Sequence, residues 1–216
     1  MATTDYSKKD VWRQIFSTTL NNYIFMEKRL SNNKKLSELV LTYYSIFLLI
    51  NSLTPIFFDW YSTHLSNYFG IILSIVLLAY SLINSNANYT KRIDSITQAI
   101  NQIKSIKREL TDDNIDQVKK EYNDIVDSVE FRSDIDFFRT VKCQCKELGI
   151  KWYKKPTKID TSAICGDEER INKVKNYLSE ISPITLQIQI ISKILFSILL
   201  FVFPLIVVAL CIMYPL

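Results

Sequence analysis

Three long apolar runs, separated by polar segments, dominate the chain. The runs extend from Leu39 to Phe58, from Leu65 to Thr90 and from Ile194 to Leu216, and none contains Asp, Glu, Lys or Arg. A helix rises about 1.5 Å per residue, so about 20 such residues cross a hydrocarbon core of about 30 Å. Each run is therefore predicted to form a membrane-spanning helix.

The basic residues predict the orientation of these helices. The segment between the first two runs, Asp59 to His64, contains no Lys or Arg, so all 26 basic residues would lie on one side of the membrane. Because Lys and Arg accumulate on the cytoplasmic side, the hairpin turn and the C-terminus are predicted to be external. The N-terminus and the region between the second and third runs are predicted to be cytoplasmic.

The hydropathy pattern divides the chain into four segments, all of them helical. No alternation of apolar and polar residues supports a strand, so an all-α integral membrane protein is predicted. A polar break at 31–33 (Ser-Asn-Asn) is expected to end the first helix before the first span. The segments are a cytoplasmic amphipathic N-terminal helix (1–35), a transmembrane hairpin (36–90, with spans about 39–58 and 66–86), a cytoplasmic helical domain (91–185) and a C-terminal transmembrane helix (186–216).

Helix boundaries within the cytoplasmic domain follow from capping residues. Asp112 or Asp113 is expected to cap one helix, and Ser133 followed by Asp134 and Asp136 is expected to begin the next. Gly149 is expected to end that helix, since glycine favours the conformation that follows a helix C-terminus.

Residue patterns typical of enzymes and metal sites are missing from the sequence. The three glycines are far apart and form no phosphate-binding loop. The single histidine, His64, would lie across the membrane from Cys143 and Cys145, which are too few ligands for zinc. Acidic pairs sit where helix N-termini favour negative charge. We therefore expect no catalytic residue, metal or cofactor.

Polar side chains recur along the apolar runs and form the first candidate site. A seven-residue recurrence keeps side chains on nearly one helix face, and lipid disfavours polar groups that find no partner. Such faces are predicted either to pack against other helices through hydrogen bonds or to line a pore among several copies. The candidate residues are Tyr44 and Asn51 in the first span, and Asn67, Gly70, Ser74, Ser81, Asn84 and Asn88 in the second.

A basic and aromatic loop after Gly149 is the second candidate site. Its residues are Lys151, Trp152, Lys154 and Lys155. Such a loop could meet a phosphate-bearing ligand, a partner or lipid headgroups, or it could simply be exposed.

Several of these segments resemble the SLATT family of SMODS- and SLOG-associating two-transmembrane effectors. The similar features are Arg29-Leu30, the polar break, and 41–46 (Leu-Thr-Tyr-Tyr-Ser-Ile) entering a two-span hairpin. The helix that begins at 133–136 (Ser-Asp-Ile-Asp) resembles an extension seen in the fifth subfamily, which is associated with reverse transcriptases. The third apolar run goes beyond the two spans that define the family.

The resemblance implies a membrane effector of a bacterial antiphage defence system, located in the inner membrane. Such effectors are expected to form homo-oligomers and to permeabilise or depolarise the bilayer on a cytoplasmic signal. The implied partners are a reverse transcriptase or a nucleotide-signalling enzyme, and a nucleotide ligand is a further expectation. The alternative is a non-conducting scaffold that anchors a cytoplasmic defence enzyme or sensor.

Overall fold

The structure is a computed structural model that describes residues 8–153 and 167–214, without the side chains of 167–169. The described residues are mostly helical and include no strand, so the predicted all-α class is confirmed. The helices are α1 (Lys8–Phe57), α2 (Thr63–Asn86), α3 (Tyr89–Glu109), α4 (Ile115–Asp127), α5 (Asp134–Glu147), α6 (Asp167–Glu180) and α7 (Pro183–Met213).

Three stretches of the described helices are long and apolar enough to cross a membrane. They are α1, the combined run of α2 and α3 (Thr63–Glu109), and α7. Each of these stretches includes 18 consecutive residues of high hydropathy with at most two charged residues among them. Most of these residues are not buried inside the isolated chain. The chain is therefore a membrane protein, as its hydropathy predicts.

The expected break at 31–33 is wrong, because α1 continues through these residues without interruption. Ser and Asn lower helix stability by less than about 1 kcal/mol each, whereas Gly and Pro, which break helices more strongly, are not present there. Adding residues to an existing helix costs far less than starting a new one. The helix therefore extends over 50 residues, from Lys8 to Phe57.

A single residue with left-handed backbone geometry separates α2 from α3. Asn88 has a φ of 47°, and its side-chain amide donates to the Asn86 carbonyl at 3.2 Å. Asparagine tolerates this conformation better than most residues because its short side chain bonds locally. Asn88 was predicted on the polar face of the second span, but it lies in the turn after α2.

The chain forms two packing units. The polar unit comprises Met1–Leu30 and Lys91–Gln189, and the apolar unit comprises Ser31–Thr90 and Ile190–Leu216. The helices α1, α3 and α7 each contribute residues to both units.

In the polar unit, α5 has the ends that its sequence predicts. Ser133 and Asp136 form a capping box, in which the Ser133 hydroxyl accepts from the Asp136 amide and the Asp136 carboxylate accepts from the Ser133 amide. Gly149 has a φ of 68°, and the next amide, from Ile150, donates to the Cys145 carbonyl at 2.8 Å. This bond satisfies a carbonyl in the last turn of the helix.

The predicted cap of α4 by Asp112 or Asp113 is wrong. The residue before the helix is Asn114. Its side-chain oxygen accepts from the Thr111 amide at 2.8 Å, and its side-chain amide donates to the Glu109 carbonyl at 2.9 Å. Asn114 therefore stabilises the turn from α3 rather than the first turn of α4.

An ion pair connects α1 to α5 within the polar unit. The Nε atom of Arg29 donates to both carboxylate oxygens of Asp136 at 3.0 Å, and its Nη2 atom lies 2.9 Å from Oδ2. The Asp136 side chain is fully buried and that of Arg29 is 21% exposed. Burying a carboxylate is costly unless it is paired and hydrogen-bonded, and Asp136 meets both conditions.

In the apolar unit, a tyrosine compensates for a proline within α7. Pro204 has no amide hydrogen, so the carbonyl of Leu200, four residues earlier, has no helical donor. The hydroxyl of Tyr44, on α1, donates to that carbonyl at 2.7 Å. The neighbouring Tyr43 hydroxyl donates to the Phe201 carbonyl at 3.1 Å. Hydrogen bonds from α1 thus stabilise the proline site in α7.

A second proline is compensated in the same way. Pro55 lies inside α1 and leaves the carbonyl of Asn51 without a helical donor. The Ser66 hydroxyl, on α2, donates to that carbonyl at 2.7 Å. Unpaired backbone groups are especially costly in a membrane, so this bond favours a close α1–α2 hairpin.

Candidate functional site: the polar face of α2

Three polar side chains form an exposed row on α2. Asn67, Ser74 and Ser81 follow one another at seven-residue intervals and are exposed in the isolated chain. The Ser74 hydroxyl donates to the Gly70 carbonyl within the same helix, at 2.7 Å. We call Asn67, Gly70, Ser74 and Ser81 the polar face of α2.

The polar face borders an open groove between α1 and α2. The groove has a volume of about 790 Å³, and Asn67, Gly70 and Ser74 line it together with Ser52 of α1. A Cβ atom added at Gly70 would meet no atom within 4 Å. The single chain thus leaves room here for another helix or for lipid.

Three further candidate residues of the first two spans, Tyr44, Asn51 and Asn84, form hydrogen bonds within the apolar unit. Asn51 is 2% exposed; its amide donates to the Ser66 carbonyl at 3.1 Å, and its oxygen accepts from the Tyr61 hydroxyl at 2.7 Å. Asn84 accepts a hydrogen bond from the Ser37 hydroxyl. In the described structure these side chains, like that of Tyr44, hold helices together and lie apart from the exposed row.

Sequence reasoning did not identify the partners of these buried groups. Ser66 and Tyr61 complete the hydrogen bonds of Asn51, but neither falls on the seven-residue recurrence. Pro55 was the sequence feature that could have indicated such a partner. A proline in a membrane helix leaves a backbone carbonyl without its helical donor, so a neighbouring side chain must donate to it.

The basic and aromatic loop is described only in part. Lys151 is exposed, whereas Trp152 is half-buried, with its ring centroid 5.7 Å from that of Phe138 and the Lys142 ammonium 4.2 Å above it. Lys154 and Lys155 lie outside the described residues. The described part therefore contributes Trp152 to the packing of the polar unit.

The two neighbouring cysteines of α5 differ in their surroundings. Cys143 is exposed and Cys145 is fully buried. Burial raises the pKa of the Cys145 thiol to about 11. The two side chains lie on different faces of the helix, as their spacing of two residues predicts.

Comparison with known proteins identifies the family of the chain. The family described as SMODS and SLOG-associating 2TM effector domain family 5 matches residues 6–210. No curated protein and no solved structure matches the chain. The family match covers both helices of the α1–α2 hairpin, the described helices of the polar unit and most of α7. The chain therefore belongs to the SMODS and SLOG-associating 2TM effector family 5, a family of membrane effector domains of defence systems.

Proposed function

We propose that several copies of this chain assemble in the bacterial inner membrane and depolarise it when a cytoplasmic signal arrives. The observation that supports this most directly is the exposure of Asn67, Ser74 and Ser81 along the mainly apolar middle of α2. A polar group in hydrocarbon is unfavourable by roughly 1–3 kcal/mol in protein measurements unless it finds a partner. Ser74 reduces this cost by donating to the Gly70 carbonyl, and contact with another copy or with water removes the remainder.

The geometry of the apolar unit supports an assembly of several copies. Its internal polar groups, such as Asn51 and Tyr44, are already satisfied by neighbouring helices. The side chains of Asn67, Ser74 and Ser81 stay exposed instead, and the empty space at Gly70 allows another helix to approach closely. Small residues at membrane helix interfaces permit such an approach.

In the proposed assembly, the polar faces of α2 from several copies surround a path through the membrane. The signal acts by binding more tightly to the conducting arrangement than to the resting one, since only differential affinity shifts an equilibrium. The three membrane helices contain no acidic or basic side chain between Leu39 and Phe58, Leu65 and Thr90, or Ile194 and Leu216. Conduction through polar, uncharged walls therefore fits better than ion-coupled transport.

The test compares leucine substitutions on α2 with a control on α7. The Ser74→Leu/Ser81→Leu variant makes the polar face apolar, whereas Ser197→Leu makes the same change on α7, where the hydroxyl donates to the Lys193 carbonyl at 2.9 Å. Each form is expressed in a bacterium while a potential-sensitive dye reports on the membrane. Wild type and the α7 variant are expected to depolarise the cells before growth stops.

The double α2 variant is expected to insert normally but to leave the membrane potential unchanged. Membrane fractions and crosslinking verify that the protein is present and assembled. Full depolarisation by the double variant would show that the polar face does not line the path. Growth arrest without depolarisation by wild type would instead favour a scaffold that recruits a cytoplasmic enzyme.

A further inference from the structure

The polar unit contains a cavity whose charged lining residues are mostly basic. Its volume is about 400 Å³, and it lies between α1, α3, α5 and α6. Glu147 is the acidic residue among its described lining side chains, and its carboxylate lies 3.0 Å from the guanidinium of Arg170. The basic lining side chains are Arg13, Lys107, Arg170 and Lys173. We call this the basic cavity.

The positive charge of the basic cavity exceeds the described negative charge. The charge of Arg170 is balanced by Glu147. Arg13 lies 3.9 Å from Asp10, and the side chains of Arg13 and Asp10 are both about half exposed. Lys107 donates to the neutral Ser17 hydroxyl at 2.7 Å. A cluster of this kind attracts an anion with several charges, such as a phosphate chain.

A second cavity has an aromatic lining. Its volume is about 540 Å³, and its described lining includes the acids Asp127 and Glu130 with a single basic residue, Arg132. The aromatic lining residues are Tyr23, Tyr122, Phe131, Phe137 and Tyr177. We call this the aromatic cavity. Both oxygens of Glu130 already accept hydrogen bonds from Arg92. The Asp127 carboxylate is therefore the group that repels a phosphate and accepts hydrogen bonds from hydroxyl and amino groups.

Side chains around the aromatic cavity are arranged for stacking. The Arg132 guanidinium lies 3.8 Å above the Phe137 ring, and the centroids of Phe137 and Tyr177 are 5.3 Å apart. Burial, aided by Tyr122 and Asp127, raises the pKa of Tyr23 to about 12, which keeps its hydroxyl neutral. Aromatic and guanidinium planes of this kind stack well on planar rings.

A buried amide in the aromatic cavity has an unsatisfied acceptor. Asn22 is 6% exposed and lines the cavity, and its Oδ1 atom has no hydrogen-bond partner among the described residues. Buried polar groups almost always have a partner, so such an atom requires an explanation. A ligand with an N–H or O–H donor would supply the missing bond.

The two cavities adjoin each other. Thr18 of α1 and Tyr177 of α6 line both of them. An anion-binding region and a ring-binding region therefore share a boundary of two side chains. Cavities of this size accommodate small ligands and cofactors.

We propose that the two cavities form one nucleotide-binding site. The phosphate chain lies among Arg13, Lys107 and Lys173, and the base lies in the aromatic cavity, where an exocyclic amino group donates to Asn22. The ribose hydroxyls face Asp127. Nucleotide binding does not require the membrane helices to conduct ions, so an experiment can contradict this inference and the proposed membrane activity independently.

The first experiment measures binding to the full-length protein in detergent micelles. The probe is radiolabelled ATP, displaced by unlabelled ATP, GTP, CTP or UTP, by inorganic triphosphate or by adenosine. At least one nucleotide is expected to displace the probe at a concentration about tenfold or more below that of triphosphate or adenosine. Equal displacement by triphosphate would show an anion site only and overturn the proposal, as would no binding by any of the four nucleotides.

Variants then assign the two parts of the site. Arg13→Gln/Lys173→Gln is expected to weaken both nucleotide and triphosphate about tenfold or more, and Asn22→Leu to weaken only the nucleotide by that factor. Lys119→Gln/Lys120→Gln removes the same charge from an exposed part of α4 and is expected to change neither. An equal loss in this control would show non-specific attraction and contradict the assignment.

Folding and membrane activity are measured separately. The melting temperature of each variant identifies a folding defect, and the competition data on wild type decide the proposal even if Asn22→Leu fails to fold. A protein that binds nucleotide but does not depolarise membranes would overturn the proposed function alone. A protein that depolarises without binding any nucleotide would overturn this inference alone.

Discussion

Arg29 and Asp136 form a bidentate ion pair that joins α1 to the first turn of α5, with the carboxylate fully buried. Asp136 also accepts from the Ser133 hydroxyl at 2.7 Å and takes part in the capping box. One carboxylate thus fixes both the start of α5 and its attachment to α1. The two sequence segments that carry the family resemblance in the polar unit meet at this pair.

Removing one partner of this pair is expected to destabilise the polar unit strongly. Arg29→Leu leaves a buried carboxylate without its cation, which typically lowers the free energy of unfolding by about 3–5 kcal/mol. Glu130→Gln serves as the control, because it breaks the exposed Arg92–Glu130 pair, in which both side chains are about one-third exposed. The Glu130→Gln change is expected to lower the free energy of unfolding by less than about 1 kcal/mol.

Thermal or denaturant unfolding of the purified proteins, followed by circular dichroism, provides the measurement. The expected order of stability is wild type, Glu130→Gln and then, well below both, Arg29→Leu. Similar stability for Arg29→Leu and wild type would show that the Ser133 bonds alone satisfy Asp136.

The bond between Tyr44 and the Leu200 carbonyl should matter only while Pro204 is present. Tyr44→Phe is expected to lower the free energy of unfolding by about 1 kcal/mol in the wild-type background. In a Pro204→Ala background the same change should cost almost nothing, since the new amide at 204 supplies the helical donor. A double-mutant cycle on protein unfolded in detergent measures the difference.

Tyr43→Phe is the matched control for that cycle. Its acceptor, the Phe201 carbonyl, can pair with the amide of Leu205, so its cost should not depend on Pro204. Equal coupling of Tyr43 and Tyr44 to Pro204 would point to a general change in helix packing instead.

A substitution at Gly70 distinguishes contacts within the chain from contacts between copies. Gly70→Leu meets no atom near its Cβ in the single chain, so the chain should insert and fold. If α2 packs against another copy at this face, the larger side chain is expected to prevent assembly. Crosslinking in isolated membranes measures the fraction of oligomer.

Ala79→Leu provides the comparison, because nine residues at 100° per residue place Ala79 on the opposite side of α2 from Gly70. It is exposed and also gains the larger side chain. Assembly should be retained. Loss of oligomer in both variants, or in neither, would argue against an interface at the polar face.

The neighbouring thiols of α5 should differ in reactivity. In a Cys165→Ser background, a maleimide at neutral pH is expected to label Cys143, which is exposed, and to spare Cys145 and Cys211, which are buried. Burial raises the pKa of Cys145 from 9.0 to about 11, so its reactive thiolate is scarce in the folded protein. Mass spectrometry after proteolysis identifies the labelled residue.

The same shift predicts the direction of a pH effect on stability. Because the folded pKa exceeds the unfolded one, the folded state holds the Cys145 proton more tightly. The stabilisation that comes from this tighter proton binding is fully present below pH 9 and is lost as the pH rises to about 11. A Cys145→Ala variant should therefore lose less stability than wild type over this range, and an identical decline would contradict the assignment.

Much of the fold follows from local signals in the sequence. The apolar runs predict the membrane helices, and Ser133 and Gly149 predict the two ends of α5, because hydropathy, caps and glycine act over a few residues. The continuity of α1 could not be predicted in this way. Its polar residues at 31–33 are weak helix formers, and the cost of interrupting a helix outweighs that preference.

The candidate site was predictable only in part, because sequence patterns are local and many contacts of the site are not. The seven-residue recurrence identifies Asn67, Ser74 and Ser81, whose exposure depends on helix geometry alone. It cannot separate them from Asn51 or Asn84, because the partners of these residues come from distant parts of the chain. The cavities of the polar unit likewise combine residues from α1, α3, α4, α5 and α6, which no local pattern brings together.

The two prolines of the membrane helices have a consequence for biosynthesis. The carbonyl that Pro55 leaves open is satisfied by Ser66, so this bond can form as soon as α1 and α2 have left the ribosome. The carbonyl that Pro204 leaves open accepts from Tyr44, which lies on a helix made long before α7. The proline site of the hairpin can thus be completed before α7 is made, whereas the proline site of α7 is completed by docking onto α1.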